Sequence, residues 1–232
     1  MTKVQISYYS DVLCIWAYAA ERRLQELVEA FGDQISIDVR YCSVFPDAWS
    51  KIEDKWGSKG GFKAFNQHLM EVSKQFPHIV VDQQLWLNVR PRTSASAHLF
   101  LKAVEAIEHD QNGDQLSTLP YNERLTGRAA WALRYAFFAA AKDISDWKVH
   151  REIAEDLGIP YDKVQSKIQS SEAVALLALD YNLSQSDQVT GSPTFILNNG
   201  RQKLFGNVGY RLLEANVREL LRSPSDHEMS WC

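Results

Sequence analysis

The sequence predicts an α/β fold in which a β-α-β unit and a β-β-α unit build one four-stranded sheet, with a large all-helical insertion between them. Three observations lead to this prediction. Two extended patterns near the N-terminus, residues 4–9 and 35–44, flank a helical one. Residues 45–186 then have mainly helical periodicity. Extended patterns return only after Pro193, close to the end of the chain.

The N-terminal unit has the clearest local patterns. Residues 4–9 form a short apolar run that is typical of a buried strand, and residues 15–31 carry apolar side chains at helical spacing. Residues 35–44 alternate between apolar and polar side chains, as a strand with one buried face does. A strand, a helix and a strand with short connections predict two parallel strands and a right-handed crossover.

The insertion is predicted to be a series of helices with short connections. Residues 45–61 are irregular and rich in tryptophan and glycine, and residues 79–81 and 85–89 are predicted to be extended. Helical patterns cover residues 62–76, 93–109, 123–142, 147–156, 162–170 and 171–183.

The C-terminal unit contains two predicted strands and one helix. The strands, residues 194–197 and 202–205, are joined by Asn198-Asn199-Gly200, and Asn-Gly is a strong hairpin signal. Residues 209–221 predict an amphipathic helix. The predicted organisation is a discontinuous α/β domain of residues 1–44 and 187–222, a helical insertion domain of residues 45–186, and a C-terminal tail of residues 223–232.

Composition is that of an ordinary globular protein. Of 232 residues, 45% are hydrophobic and 23% are charged, and the net charge is −4. This balance argues against nucleic acid or an anionic membrane as a partner. No run reaches the ~18 apolar residues of a membrane-spanning helix. The N-terminus has no signal-peptide pattern, so we expect a cytoplasmic protein.

The three cysteines, Cys14, Cys42 and Cys232, are too few and too scattered for a disulfide framework. They form no C-x-x-C pair and no zinc-ligand spacing, so we predict thiols and no metal site. Cys42 falls near the end of the second predicted strand and could approach Cys14. Cys232, on the tail, could act as a resolving thiol or link two chains.

Cys14 is the strongest candidate for chemistry because the first predicted strand ends and the first helix begins there. The free N–H groups and the positive dipole at a helix start favour a thiolate. Cysteines in such places can have pKa values lowered from ~8.5 to roughly 3.5–7.5. Ser10 or Asp11 would cap this turn. The alternative is that Cys14 is a small buried core residue.

A second motif, TGSPTFIL at residues 190–197, leads from a Gly-Ser-Pro turn into a strand. Such a turn is a place where a cis proline occurs, although an ordinary trans proline also suits a strand start. In the predicted fold, the loop before Pro193 returns to the C-terminal edge of the first strand. Pro193 would then lie beside Cys14.

These two motifs, in these two places, resemble the thioredoxin superfamily, and most closely its DsbA-like branch with a helical insertion. Ala97-His98, the aromatic helix and turn at residues 135–146, and Phe205-Gly206 also fit this branch. It includes the FrnE-type dithiol oxidoreductases, the 2-hydroxychromene-2-carboxylate isomerases and the kappa-class glutathione transferases. The resemblance covers nearly the whole chain and implies the thioredoxin fold.

The sequence departs from these oxidoreductases at the active turn. They carry C-x-x-C, whereas residues 14–17 are CIWA, with Ala17 in place of the resolving cysteine. A dithiol exchange needs an internal thiol to release the mixed disulfide. The isomerases and kappa transferases keep one residue, usually Ser, at the position of Cys14 and use glutathione as cosubstrate.

The resemblance implies a thiol–disulfide oxidoreductase with Cys14 as its single catalytic thiol, glutathione as cosubstrate and no bound cofactor. It implies that Ser192 and Pro193 hold the substrate or glutathione. Trp16 and His98 are further candidate contacts, although each could simply be a packed core residue. The alternatives are a glutathione-dependent isomerase or transferase and a non-catalytic binding or chaperone-like protein. Homodimers are common among such relatives, so a homodimer is a further expectation.

Overall fold

The computed structural model describes residues 3–113 and 119–222, and it confirms the predicted α/β fold. Its sheet has the order β2-β1-β3-β4. The strands are β1 (Val4–Ser10), β2 (Ile35–Tyr41), β3 (Thr194–Leu197) and β4 (Gln202–Phe205). β1 pairs in parallel with β2, whereas β3 is antiparallel to both β1 and β4. Tyr8 lies opposite Val39 on one side and Phe195 on the other.

The described residues contain ten α-helices, of which the first and the last belong to the α/β unit and the others to the insertion. They are α1 (Ile15–Phe31), α2 (Ala48–Trp56), α3 (Gly61–Ser73), α4 (Leu85–Asn88), α5 (Ala95–Asn112), α6 (Leu125–Phe138), α7 (Trp147–Asp156), α8 (Tyr161–Gln169), α9 (Glu172–Ser186) and α10 (Tyr210–Arg222). No helix in the described ranges is long and apolar enough to cross a membrane.

One part of the insertion that was predicted to be irregular is a helix. Residues 48–56 form α2 because the Asp47 carboxylate caps its first turn. The carboxylate accepts hydrogen bonds from the N–H groups of Trp49 at 3.1 Å and Ser50 at 3.3 Å. The many aromatic and glycine residues around this cap hid the helical pattern.

A second segment, residues 85–88, was predicted to be extended and instead forms the short helix α4. This helix places Leu85 and Trp86 in the core, where both are fully buried. The side chain of Asn66 accepts a hydrogen bond from the Trp86 N–H at 3.0 Å and fixes the turn. A short apolar run does not distinguish a strand from a buried helical turn, because it is too short to show a period.

The insertion and the α/β unit share one hydrophobic core. A single cluster of buried side chains runs from Val4 on β1 to Leu220 on α10 and includes residues of the inserted helices. The insertion also covers the edge strand β2. Arg124 donates to the carbonyl of Ile37 at 3.0 Å, and Asp180 accepts from the N–H of Tyr41 at 3.0 Å. These contacts protect the free edge of the sheet.

Candidate functional site

Cys14 is the N-cap residue of α1, directly after the turn that follows β1. Its backbone is extended, with φ −85° and ψ 116°. Its N–H donates to the carbonyl of Asp11 at 3.1 Å, and its own carbonyl accepts from Ala17 and Tyr18, both at 3.1 Å. The residue is 6% exposed. The helix therefore starts at Cys14 as the sequence predicts.

The thiol of Cys14 touches the second sequence motif. Its Sγ donates to the carbonyl oxygen of Ser192 at 3.1 Å, across 178 residues of sequence. The peptide bond between Ser192 and Pro193 is cis. The carbonyl of Pro193 accepts from the N–H of Gly206 at 2.8 Å, so the loop is tied to the residue after β4. We call residues 191–193 the cis-proline loop and residues 11–14 the Cys14 turn.

The pKa of the Cys14 thiol lies above its ordinary value, because burial disfavours the thiolate. The Ser192 side chain and the backbone N–H groups of Ala17 and Trp16 hydrogen-bond to the sulfur and lower the pKa, whereas the charge of Asp11 raises it further. The activated thiolate stays a prediction, and the burial of Cys14 opposes it. The helix start does favour the thiolate, but burial has the larger effect.

Asp11 is a central residue of the site, although the sequence suggested it only as a cap of the turn. Its side chain is fully buried. Oδ1 accepts from the N–H of Leu13 at 2.9 Å. Oδ2 accepts from the N–H groups of Val44 and Phe45, each at 3.0 Å, and from the Ser94 hydroxyl at 2.8 Å. These bonds draw the chain away from the sheet, which explains why β2 ends before its predicted boundary.

One sequence signal could have drawn attention to Asp11. It is a charged residue directly before the apolar stretch VLCIWAY, residues 12–18, at a turn that the fold must bury. Buried carboxylates require several hydrogen-bond donors. The identity of these donors is not readable from the sequence, because three of them come from distant parts of the chain.

His98 is fully buried on α5 and supports the Cys14 turn. Its Nε2 accepts from the N–H of Val12 at 3.2 Å, which leaves the proton on Nδ1 to be donated to the Tyr181 hydroxyl at 3.3 Å. Burial lowers the pKa of His98 to about 4, so the ring is neutral near pH 7. Both ring nitrogens have protein partners, which gives His98 a supporting role in the Cys14 turn, whereas its contact with a substrate stays a prediction.

The remaining predicted residues lie around the thiol. Trp16 is half-buried and meets Phe76 edge to face, with ring centroids 6.0 Å apart. Ala17 is fully buried, and its methyl group occupies the place of a second cysteine. Ser192 is buried, and its hydroxyl oxygen accepts from the N–H of Asp11 at 2.9 Å. The Cys14 turn and the cis-proline loop are thus bonded to each other at two points.

Cys42 is a second buried free thiol. It packs with Tyr9 and Ile196 in a small cluster apart from the main core that contains Cys14. Burial raises the pKa of Cys42 well above its ordinary value. The predictions for Cys232 lie outside the described residues. Within those residues, no three His, Cys, Asp or Glu side chains are grouped as metal ligands would be.

The sheet order, the cysteine at the start of α1 and the cis-proline loop beside it define a thioredoxin-like protein. More particularly, the chain belongs to the family of DSBA-like thioredoxin domains, whose model matches residues 5–218. No match was found among curated protein sequences.

Solved structures from several DsbA-like proteins resemble this chain. A candidate protein disulfide isomerase from Nitrosomonas europaea has a TM-score of 0.73 and 14% identity, over 96% of this chain and 100% of that one. Cytosolic disulfide reductase DsbM from Pseudomonas aeruginosa, solved with GSH, has a TM-score of 0.60 and 16% identity, over 95% and 98%. A 2-hydroxychromene-2-carboxylate isomerase has a TM-score of 0.59 and 16% identity, over 97% and 100%. At these identities the likeness shows a shared fold.

Proposed function

We propose that the chain is a thiol–disulfide oxidoreductase in which Cys14 is the single catalytic thiol and glutathione supplies the second one. The observation that supports this most directly is the 3.1 Å contact between Cys14 Sγ and the carbonyl of Ser192 in the cis-proline loop. Ala17 stands where a resolving cysteine would be, so the second thiol must come from outside the C-x-x-C position. Membership of the DsbA-like family supports a thiol or disulfide substrate.

The reaction balances with glutathione as the only co-reactant. The Cys14 thiolate attacks the glutathione sulfur of a mixed disulfide, forming a Cys14–glutathione disulfide and releasing the substrate thiolate, which takes up a proton. A second glutathione thiolate attacks the glutathione sulfur of this disulfide and releases Cys14. Overall, the mixed disulfide and one glutathione thiol become the substrate thiol and one glutathione disulfide, of which one half came from the mixed disulfide.

The neighbouring residues suit this exchange. The N–H groups of Trp16 and Ala17 favour negative charge on the leaving Cys14 sulfur. The carbonyl of Ser192 is occupied by the Cys14 thiol at rest, so an incoming disulfide would replace that contact. In the described part of the chain the Ser192 N–H has no intrachain acceptor, and it is free to bond a substrate backbone.

The test is glutathione-dependent reduction of a small glutathione mixed disulfide, followed as formation of glutathione disulfide. We expect Cys14→Ser to lower the rate to the uncatalysed background, because serine cannot form the mixed disulfide. Cys42→Ser is the matched control and should keep the wild-type rate, since Cys42 lies in the separate cluster with Tyr9 and Ile196. A Cys14→Ser variant that retains the rate would exclude the proposal.

A glutathione-dependent isomerase or transferase is the second candidate, and the raised pKa of Cys14 is the observation that favours it. In that reading Cys14 hydrogen-bonds the glutathione sulfur and forms no covalent intermediate. A serine at residue 14 would then preserve glutathione binding and turnover of an aromatic substrate. Absence of both turnover and glutathione binding in the wild-type protein would instead favour a non-catalytic binding protein.

A further inference from the structure

The Asp11 carboxylate connects the Cys14 turn to the insertion. Oδ1 is bonded to Leu13 within the turn, whereas Oδ2 is bonded to Val44, Phe45 and Ser94. Both oxygens act only as acceptors in these bonds, and this donor set suits the ionised carboxylate. A single buried side chain therefore fixes the segment that carries the reactive thiol.

Asp11 also connects the same turn to the cis-proline loop. Its N–H donates to the Ser192 hydroxyl at 2.9 Å, and its carbonyl accepts from the N–H of Cys14 at 3.1 Å. The Cys14 thiol in turn donates to the Ser192 carbonyl at 3.1 Å. Asp11, Cys14 and Ser192 thus form a closed set of contacts, and the Asp11 carboxylate is bonded to the N–H of Leu13, the residue directly before Cys14.

The charge of Asp11 has no cationic partner in hydrogen-bond contact among residues 3–113 and 119–222. The nearest ionisable base, His98, has its Nε2 3.8 Å from Oδ1 and is neutral, because that nitrogen accepts from the N–H of Val12. The ammonium of Lys51 contacts the carbonyl of Val44 at 2.6 Å and not Asp11 itself. Neutral backbone and hydroxyl dipoles therefore hold this buried charge.

The other ionisable groups around Asp11 and Cys14 come from each neighbouring element. Four ionisable groups interact electrostatically with Asp11 or Cys14: Lys51 on α2, His98 on α5, Tyr181 on α9 and Cys42 after β2. Arg134 on α6 bonds to Ser10 and is paired with Glu21 at 2.6 Å. Burial raises the pKa values of Tyr181 and Cys42, so both are neutral near pH 7.

We propose that Asp11 is a positioning residue that holds Cys14 against the cis-proline loop and, through its unpaired negative charge, keeps Cys14 in the thiol form. Two negative charges within one buried turn are unfavourable, so ionisation of Cys14 is opposed as long as Asp11 stays in place. The inference concerns the reactivity of the thiol, and it depends on the proposed function only for the choice of Cys14 as the reacting group.

The experiment measures Cys14 alkylation against pH by peptide mass spectrometry, in wild type and in Asp11→Asn. An asparagine whose oxygen takes the place of Oδ2 keeps the bonds from Val44, Phe45 and Ser94 while removing the charge. We expect the midpoint of the pH profile to fall and alkylation at pH 7 to become roughly tenfold faster, which corresponds to one pKa unit. Limited access to the buried sulfur scales the rate equally at all pH values and leaves the midpoint unchanged.

Ser94→Ala is the matched control, because it removes one bond to Oδ2 and leaves the charge. Its midpoint should equal that of wild type. An unshifted midpoint in folded Asp11→Asn, or an equal shift in Ser94→Ala, would overturn the inference. If Asp11→Asn does not fold, Asp11→Ser replaces it, since serine also removes the charge: a fall of the midpoint relative to wild type supports the inference, and an unshifted midpoint overturns it. None of these readouts uses exchange activity, so they are independent of the proposed function.

Discussion

Two aspartates, Asp11 and Asp180, are fully buried in this protein and are held in opposite ways. Asp180, on α9, accepts from Arg40 at 3.1 Å and lies 2.8 Å from the ammonium of Lys102. It also accepts from the N–H of Tyr41 at 3.0 Å. Asp11 is bonded only to neutral donors. The two carboxylates therefore differ in charge compensation and not in burial.

This difference distinguishes the charge of Asp180, which stabilises the fold, from the charge of Asp11, which affects the ionisation of the Cys14 thiol. The ion pairs of Asp180 join α9, α5 and β2 and place two cations against its charge. In the described part of the chain no cation is hydrogen-bonded to Asp11, although the charge of Lys51 attracts it. Burial raises the pKa of Cys14, and the charge of Asp11 raises it further. A buried charge without a bonded counter-ion lowers the stability of the folded state. Asp11 is such a charge, and it lies in the same turn as Cys14, the proposed catalytic residue.

The largest expected effect concerns Asp180 and its contribution to the stability of the fold. Asp180→Ala removes the fully buried counter-ion of Lys102 and leaves the partly exposed Glu105, 2.6 Å away, as its partner. It also breaks the bonds that Asp180 accepts from Arg40 and from the Tyr41 N–H. We therefore expect the free energy of unfolding to fall by about 3 kcal/mol. Urea unfolding measures it. The control is Glu214→Ala, which breaks the exposed pair with Arg218 on α10 and should leave the unfolding midpoint unchanged within error.

Replacing the whole buried pair sharpens this test. Lys102→Met combined with Asp180→Leu removes both charges at similar volume and leaves Glu105, 31% exposed, without its partner Lys102. Part of the lost stability should return, because neither member of the fully buried pair is left as an unpaired charge. Arg40 is left near the surface with Asp38 as its partner. If the single variant loses less than about 1 kcal/mol, Asp180 is not an essential structural charge and the contrast with Asp11 fails.

The second effect concerns His98, the neutral neighbour of Asp11. Burial lowers its pKa to about 4 in the folded chain, whereas an unfolded histidine titrates near ~6.5. The unfolded state binds more protons between these values, so this stabilisation is present above pH ~6.5 and is lost as the pH falls toward 4. The difference between the two pKa values corresponds to at most about 3 kcal/mol.

The measurement is the free energy of unfolding between pH 7 and pH 4, in wild type and in His98→Gln. Glutamine can still accept from Val12 and donate to Tyr181, and it does not titrate, so the slope against pH should become shallower. It should not vanish, because burial also lowers the pKa of His150 to about 4. The control is His109→Gln at an exposed position; a slope that changes as much there would contradict the assignment to His98.

The smallest effect tests the donors of Asp11. Ser94→Ala removes a 2.8 Å hydrogen bond to a buried carboxylate, and we expect a loss of about 2 kcal/mol in urea unfolding. Ser96→Ala in the first turn of α5 is the control, since its hydroxyl makes only a 3.4 Å contact with the carbonyl of Ser145. Equal losses in the two variants would mean that Asp11 does not depend on this donor.

Much of the fold was predictable from local pattern. The alternation in residues 35–41 and the helical spacing in residues 15–31 give β2 and α1 because burying one face of a strand or a helix imposes a period. The same reasoning failed at residues 85–88, where the apolar run is too short to have one. It failed at residues 48–56 because the Asp47 cap is a single residue among aromatic neighbours.

The candidate site was predictable in part. Cys14 and Pro193 stand out because each lies at a boundary between a strand and another element, and such boundaries are visible in one dimension. The roles of Asp11 and His98 were not visible in the same way. Their partners are separated from them by up to 86 residues for His98 and by 181 for the Asp11 N–H, so only the folded chain brings them together.

The sequence by itself determined the order of elements in the α/β unit, the position of Cys14 at a helix start and the absence of a second cysteine at Ala17. Only the tertiary structure decided the direction of the pKa shift of the Cys14 thiol. A helix start favours a thiolate through local dipoles, whereas burial and the charge of Asp11 oppose it. Desolvation depends on every segment packed around the sulfur, and for that reason the direction of the pKa shift could not be read from the residues next to Cys14.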